Sequence, residues 1–407
     1  MKILTVVCNL DKGGTQRAAQ NFCEGYLDIG HDSRIIAMYK GGLRVNELEE
    51  RNMKAWVGFD EKTIKEIEFW SPNIVHIHSH EMRLNDIKKL RQKLNDSIFI
   101  ETNVFSIPST YEAILDYSYQ LSCWCHYLYC ARGGDKKKAL VIPYPVNNRR
   151  FKKSSDDDIE KFKSIHSIPR DAFLFGRIGQ HFYGKWSHYL IDLFSKFKDN
   201  VDKNCFLIAV NPPCEIVNYI NKNKICNVVV IDKLVGDKAL QDCYSSINVF
   251  LHIANQGESF GMVLAESLLC ETPVITLSTP WGDNTQCEVI GRNVGGLCAK
   301  GKKDFYLNMI ELYYNEDKRI FLGKNGREYI KNKYDYLTVA ESSIKALSAT
   351  ENQHSCDDAF LRNSILPFRT FTYLLLRLKH RTIYFHGCIN FILRKIALYG
   401  IPKGLNK

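Results

Sequence analysis

The segment Val249-Phe-Leu-His-Ile253 is apolar and β-rich, and it runs into Gly257-Glu-Ser-Phe-Gly-Met-Val-Leu-Ala-Glu266. Apolar spacing then predicts a helix over 262–270, and Pro273-Val-Ile-Thr-Leu277 reads as another buried strand. A strand, a glycine-bounded turn, a helix and a second strand make a crossover unit, which joins parallel strands.

The same alternation extends in both directions. Upstream, 173–178, 205–211 and 228–232 read as strands and 185–197 as a helix. Nearer the start, 3–8, 34–39, 73–78 and 97–102 read as strands, with a helix over 15–27 that stops at Gly30. Alternation of this kind predicts parallel sheets covered by helices on both faces. Ala139–Val146 ends the first set, and a polar stretch over 147–158 separates it from the second. A helix near 334–347 closes the second. The expected fold class is α/β, with two doubly wound Rossmann-like domains over 1–148 and 149–335. A closing helix over 336–350 and a basic amphipathic tail over 351–407 follow. Ligands of such sheets bind beyond the carboxyl ends of the strands, so the site is expected in a cleft between the two domains.

Composition narrows the function classes. The chain has 407 residues, enough for two domains of about 100–200 residues each with extras. The opening Met1-Lys2-Ile3-Leu4-Thr5-Val6-Val7-Cys8 meets Asn9 and Asp11 at once and reads as a first strand, not a secretory leader. No run of about 18 uncharged apolar residues suggests a spanning helix. The expected location is cytoplasmic. Fourteen cysteines occur without a C-x-x-C pattern. Cys123 and Cys125 would share one face of a strand, a zinc site is poorly supported, and reduced, buried cysteines are expected. Of the net charge of +10, nearly all comes from nine basic residues in 361–407, a stretch with no Asp or Glu. The body is therefore near neutral, which argues against nucleic acid as its partner.

A helix beginning near Phe260 would point free backbone N–H groups at a ligand, which suits phosphate. Glu258 precedes it and Glu266 lies in its second turn, at most about 12 Å away at helical rise. That is the order of distance between a sugar and a ribose joined by a diphosphate. These residues resemble glycosyltransferase family 4, of the GT-B fold. Glu258 and Glu266 fit its E-x7-E motif, and Cys270-Glu-Thr-Pro-Val-Ile275 extends the match. The resemblance covers roughly residues 1–350. It implies that Glu258 meets the donor sugar and Glu266 the ribose, with amides of Ser259, Phe260, Gly261 and Met262 at the phosphates.

Gly176-Arg-Ile-Gly-Gln-His-Phe-Tyr-Gly-Lys-Trp186 places an Arg at a strand end and a Lys at the next helix, a pairing that neutralises a diphosphate. The family has both, at shorter spacing than that between Arg177 and Lys185. Asp11-Lys-Gly-Gly-Thr-Gln-Arg17 is a glycine-rich turn similar to the family's loop facing donor phosphate and acceptor, which involves Gly13, Gly14 and Gln16. Many members have Glu where Gln16 stands. Asn73-Ile-Val-His-Ile-His-Ser-His80 puts His76, His78 and His80 on one side of a strand. His78 is the one expected to reach the cleft and His76 a core residue. Asn103 ends a strand where many members have His, and an amide carries no proton at neutral pH. Asp283, Asn284 and Gln286, in Trp281-Gly-Asp-Asn-Thr-Gln-Cys-Glu288, are candidates for sugar hydroxyls. Asp156-Asp157-Asp158 satisfies a D-x-D pattern but reads as a solvated helix start.

The resemblance implies a retaining transferase that moves a hexosyl sugar from a nucleotide-diphosphate sugar to a saccharide or lipid-linked acceptor. Polysaccharide or glycolipid assembly is its expected setting. The nucleotide sugar is a substrate, and no cofactor or metal is expected. Basic residues interleaved with Phe, Leu, Ile and Tyr in 361–407 suit peripheral contact with an anionic membrane face. Two other readings stay open: a catalytically silent nucleotide-sugar- or partner-binding paralogue, and a nucleotide-sugar epimerase of the same fold.

Overall fold

The computed structural model describes residues 1–78, 82–291 and 293–348, together with Ile392. Contacts divide them into two units: Met1–Asn147 with 333–348, and Asn148–Asn332.

The first unit holds seven strands: β1 (Lys2–Asn9), β2 (Asp32–Lys40), β3 (Ala55–Val57), β4 (Ile74–His78), β5 (Ile98–Asn103), β6 (Tyr117–Gln120) and β7 (Ala139–Val141). They lie in the order β3-β2-β1-β4-β5-β6-β7, and every pair is parallel. The second unit holds β8 (Leu174–Ile178), β9 (Phe206–Val210), β10 (Val228–Ile231), β11 (Val249–His252), β12 (Val274–Leu277) and β13 (Gly296–Ala299). Their order, β10-β9-β8-β11-β12-β13, repeats that of the first six strands of the first unit, with no counterpart of β7, and is again parallel throughout. Both units are therefore Rossmann-like. Each reverses its winding next to its first strand, between β1 and β4 and between β8 and β11, and the carboxyl ends at such a reversal are where sheets of this kind bind ligands.

Burial follows the pattern of the strands. β4, β8, β11 and β12 are buried along their whole length, as helices on both faces require. In the second unit Phe175, Phe194, Phe197, Leu251 and Ile275 fill one core. The helix Tyr336–Ser348 packs in the first unit against Gly14–Asp28. A Cβ on Gly25 would sit 2.7 Å from the Tyr336 carbonyl oxygen, so only glycine lets the two helices meet there. Tyr119 donates to the Ser343 carbonyl at 2.7 Å, and Tyr336 donates to Asp28 at 2.7 Å.

Two expectations about cysteine need correction. Cys123 and Cys125 lie on a helix, Cys123–Ala131, begun by Ser122, whose hydroxyl accepts from the Cys125 amide at 3.0 Å. Residues two apart on a helix do not share a face. The cysteines are also not all reduced, since Cys287 and Cys298 form a disulfide. The acidic triplet opens the helix Asp156–Ile165 behind an N-cap at Ser155, and Asp158 pairs with Lys238 at 2.9 Å. Among the described residues no helix is long and apolar enough to cross a membrane. The tail over 361–407 lies outside the described residues apart from Ile392, as does His80.

Candidate functional site

β8 and β11 are neighbours at the reversal point of the second unit, and their carboxyl ends deliver Arg177 and His252. The loop after β11 turns sharply at Gly257, where φ is +72° and a Cβ would lie 1.8 Å from the Asp283 carbonyl oxygen. Only glycine satisfies both conditions. Backbone bonds hold the loop from two sides: the Gln256 amide donates to the Gly184 carbonyl at 3.0 Å, and the Asp283 amide to the Gln256 carbonyl at 3.1 Å. Glu258 is gripped by its own backbone, its carbonyl accepting from the Thr285 amide at 3.0 Å and its amide donating to Gln286 Oε1 at 3.2 Å.

The Glu258 carboxylate is nearly buried. Oε2 accepts from Lys185 Nζ at 2.7 Å, and Nζ also donates to the Gly257 carbonyl at 3.2 Å. Oε1 lies 3.3 Å from His252 Nε2. Burial alone would raise the carboxyl, but Lys185 and His252 outweigh it and hold it well below the usual carboxylate range. His252 is pushed down to about 4 by burial first and by Arg177 next, against the opposing pull of Glu258. It is therefore a neutral imidazole near pH 7.

Arg177 is fully buried. Its guanidinium donates to the carbonyls of Ile178, at 2.9 Å, and Lys185, and it lies 5.2 Å from the Trp186 ring. Nε has no partner, and among the described residues Arg177 forms no ion pair. Burial lowers it to about 10, with Glu258 opposing, so it stays charged at neutral pH. Arg177 thus clamps the Lys185 turn from beneath. Around the Glu258 carboxylate two cations face one anion and a neutral imidazole, with Glu266 further along the next helix, an arrangement that offers two positive charges to an anionic ligand.

The helix Met262–Leu269 starts beside these groups. Gly261, with φ +91°, caps it without any side-chain hydrogen bond, so the first-turn amides are not capped from the side. Phe260 is buried, whereas Ser259 and Met262 are half-buried. Glu266 accepts from the Tyr244 hydroxyl at 3.0 Å. Burial, then Glu266, raises the Tyr244 hydroxyl well above its ordinary value, so it remains a donor. The structure thus brings together Arg177, Lys185, Glu258, the 259–262 turn and Glu266.

In the 281–288 segment one of the three expected hydroxyl binders is already committed inside the protein. Gln286 is fully buried and both ends of its amide are committed: Oε1 to Glu258, and Nε2 to the Leu277 carbonyl at 2.9 Å and Thr279 Oγ1 at 2.6 Å. Asn284 Oδ1 accepts from the Thr279 amide at 2.7 Å and from Ser278 at 3.2 Å. These two side chains brace the loops under Glu258. Asp283 is half-buried and holds its neighbours through its backbone.

In the first unit the helix starts at Gly14, with Gly13 extended before it. Gln16 donates to Asn9 Oδ1 at 3.3 Å, which also accepts the Asp11 amide at 3.0 Å, so Asn9 organises this turn. His78, Asn103 and Gln120 end three adjacent strands and are buried. Neither ring nitrogen of His78 has a partner among the described residues, and neither Asn103 Oδ1 nor Gln120 Oε1 has one. Burial, reinforced by His76, holds His78 well below 6.5, so it is neutral. Asn103 donates to the Ile107 carbonyl at 2.7 Å. His76 is satisfied in the core, between Tyr26 at 3.0 Å and Thr102 at 2.7 Å.

Sequence reasoning missed His252, Tyr244, Asn9 and Gln120. Each lies on a strand or a helix, with no motif around it. The one available signal was a polar residue in an apolar run, as for His252 in Val249–Ile253. Among the described residues no group of three or more His, Cys, Asp or Glu is placed to hold a metal ion.

The chain's structural neighbours are GT-B glycosyltransferases, whose fold of two Rossmann-like units it shares. Anabaena HepE, solved with UDP and glucose, superposes with a TM-score of 0.69 at 15% identity, over 86% of this chain and 100% of that one. A glycosyltransferase from Rickettsia africae ESF-5 gives 0.69 at 16% identity, over 84% and 97%. Sucrose-phosphate synthase from Thermosynechococcus elongatus gives 0.64 at 14%, over 85% and 98%. Residues 158–332, which carry Arg177, Lys185, Glu258 and Glu266, match the family described as Glycosyl transferases group 1. An uncharacterized glycosyltransferase of Methanocaldococcus jannaschii is 32% identical over 121 residues, which make up 29% of this chain. The match spans about a third, 32%, of that relative's length.

Proposed function

We propose that this chain is a retaining glycosyltransferase that moves a hexosyl sugar from a nucleotide-diphosphate sugar, of which UDP-glucose is the type, to a saccharide or lipid-linked acceptor. The observation that carries the reading is the pair of half-buried Lys185 with nearly buried Glu258, beside buried Arg177 at the head of the helix Met262–Leu269. It supplies positive charge and first-turn amides for a diphosphate, with an ionised carboxylate beside them for sugar hydroxyls. The neighbour HepE, which holds UDP and glucose, supports the choice of donor.

Glu258 accepts hydrogen bonds from the donor sugar, and the amides of Ser259 to Met262 meet the phosphates. Arg177 and Lys185 offset the charge of the leaving group. Glu266, aimed by Tyr244, accepts from the ribose hydroxyls. In the transfer, the acceptor oxygen bonds to the anomeric carbon as the bond from that carbon to the phosphate oxygen breaks. The nucleotide diphosphate leaves with the bonding pair and takes up the acceptor's proton on the same face of the sugar. No side chain then needs to act as base, consistent with Asn103 and a neutral His78 at the edge of the sheet assigned to the acceptor, together with Gly13, Gly14 and Gln16. Arg177 and Lys185 take the place a metal would fill. Polysaccharide or glycolipid assembly is the setting, with the basic stretch 361–407 at an anionic membrane face.

The test is nucleotide release from UDP-, GDP- and ADP-sugars, with wild type beside Glu258→Ala. The reading expects release of one nucleotide diphosphate, reduced at least about 100-fold in the variant. Binding without release, acceptors included, would mark a silent paralogue, and an altered sugar nucleotide without release would mark an epimerase.

A further inference from the structure

His252 is not touched by the roles above, yet it is the residue that Glu258 leans on. β11 and β12 are parallel neighbours, and His252 pairs directly with Thr276 in their register, so both side chains stand on one face of the sheet. Both are fully buried. The ring spans the gap between them and the loop: Nδ1 is 2.9 Å from Thr276 Oγ1, and Nε2 is 3.3 Å from Glu258 Oε1. Lys185 holds the other carboxylate oxygen at 2.7 Å.

The partners determine where the imidazole proton sits. An ionised carboxylate only accepts, so Nε2 must be the protonated nitrogen, since a lone pair there would face a lone pair. Nδ1 is then the acceptor, and the Thr276 hydroxyl donates to it. The charged groups around the ring are Arg177 from β8, Lys185 from the turn after it, and Glu258. The two cations disfavour an imidazolium, and burial does so more strongly.

We propose that His252, as its neutral Nε2–H form, is the positioning residue that fixes the Glu258 carboxylate for the donor sugar. Thr276 selects that form. This rests on the reading of Glu258 as the sugar contact. With His252 on one oxygen and Lys185 on the other, the carboxylate has one orientation, and its remaining lone pairs are left for sugar hydroxyls. A group held this way spends nothing on reorganisation when the donor arrives.

Two measurements on the full chain test it. The first is 15N NMR of the histidine side chains, with His252→Gln to assign the signal. The proposal expects a neutral ring protonated at Nε2 from about pH 5.5 to 8, and an Nδ1–H form or an imidazolium at neutral pH would overturn it. The second compares UDP-glucose turnover with UDP affinity. His252→Leu should lower kcat/KM for UDP-glucose at least about tenfold while the Kd for UDP stays within about twofold, because UDP lacks the sugar. His252→Gln, which keeps a donor near the Nε2 position, should recover most of the loss. Turnover by His252→Leu within about twofold of wild type would sink the proposal. So would an equal fall in turnover and UDP affinity in both variants, which would indicate a purely structural role. A wild type that binds none of the UDP-, GDP- and ADP-sugars would bring down the transferase reading, and the NMR result would still decide the proton's place; if another donor than UDP-glucose is turned over, the same comparison is made with that donor and its nucleotide diphosphate.

Discussion

Glu258 stays ionised in the interior because two neighbours, Lys185 and His252, outweigh the cost of its burial. The histidines show the opposite balance. His76, pushed to about 3, His78, and His252, at about 4, are all buried neutral, and burial is the main cause each time. Their folded values lie below the 6.5 of an exposed ring, so the unfolded chain takes up protons first as the pH falls. The stability they contribute is complete above about pH 6.5 and drains away as the pH falls below that. Glu258 adds a loss of the same sign at lower pH, as the medium falls below its ordinary 4.5. Scanning calorimetry at pH 7.5 and pH 5 should therefore show the melting temperature lower at pH 5, by on the order of 5–10 °C. An unchanged melting temperature would mean that these rings are not neutral in the folded protein.

At the scale of the element, legibility followed length and pattern. Strands such as β1, β4 and β11 are continuous apolar runs between turn residues, and the sequence placed them within a residue or two. β3 has three residues and β13 four, too short for a period to show. β6, Tyr-Ser-Tyr-Gln, is half polar and shows no apolar run, although Ser118, Tyr119 and Gln120 are buried between β5 and β7. The turn after β11 was legible because Gly257 and Gly261 are obligatory there and frame Glu258. The bracing around it was not. Gln286 read as a candidate for sugar hydroxyls, whereas it sits in the interior and ties Leu277, Thr279 and Glu258 together. A sequence records that an amide is present and not which way it points. His252 illustrates the same limit, since its role depends on a register with Thr276 that one strand's sequence does not contain.

The whole molecule repeats one strand order in two units, and each presents buried polar side chains at the carboxyl edge of its sheet. The division of labour proposed here follows from the charge. The second unit carries Arg177, Lys185 and a helix start suited to a diphosphate. The first offers neutral donors and acceptors in His78, Asn103 and Gln120, suited to hydroxyls. The basic stretch 361–407 adds nine positive charges with no acidic residue, and co-sedimentation of the full chain with anionic liposomes, lost on removal of 357–407, is the expected consequence. Binding unchanged by that removal would take the tail out of the account. The most direct test of the central claim is a crystal structure of the full chain grown with UDP-glucose. The account predicts the glucose hydroxyls on Glu258, the diphosphate over the first turn of Met262–Leu269 beside Lys185, and the ribose hydroxyls on Glu266. A nucleotide sugar bound elsewhere, with Glu258 still closed on Lys185 and touching no ligand, would contradict it.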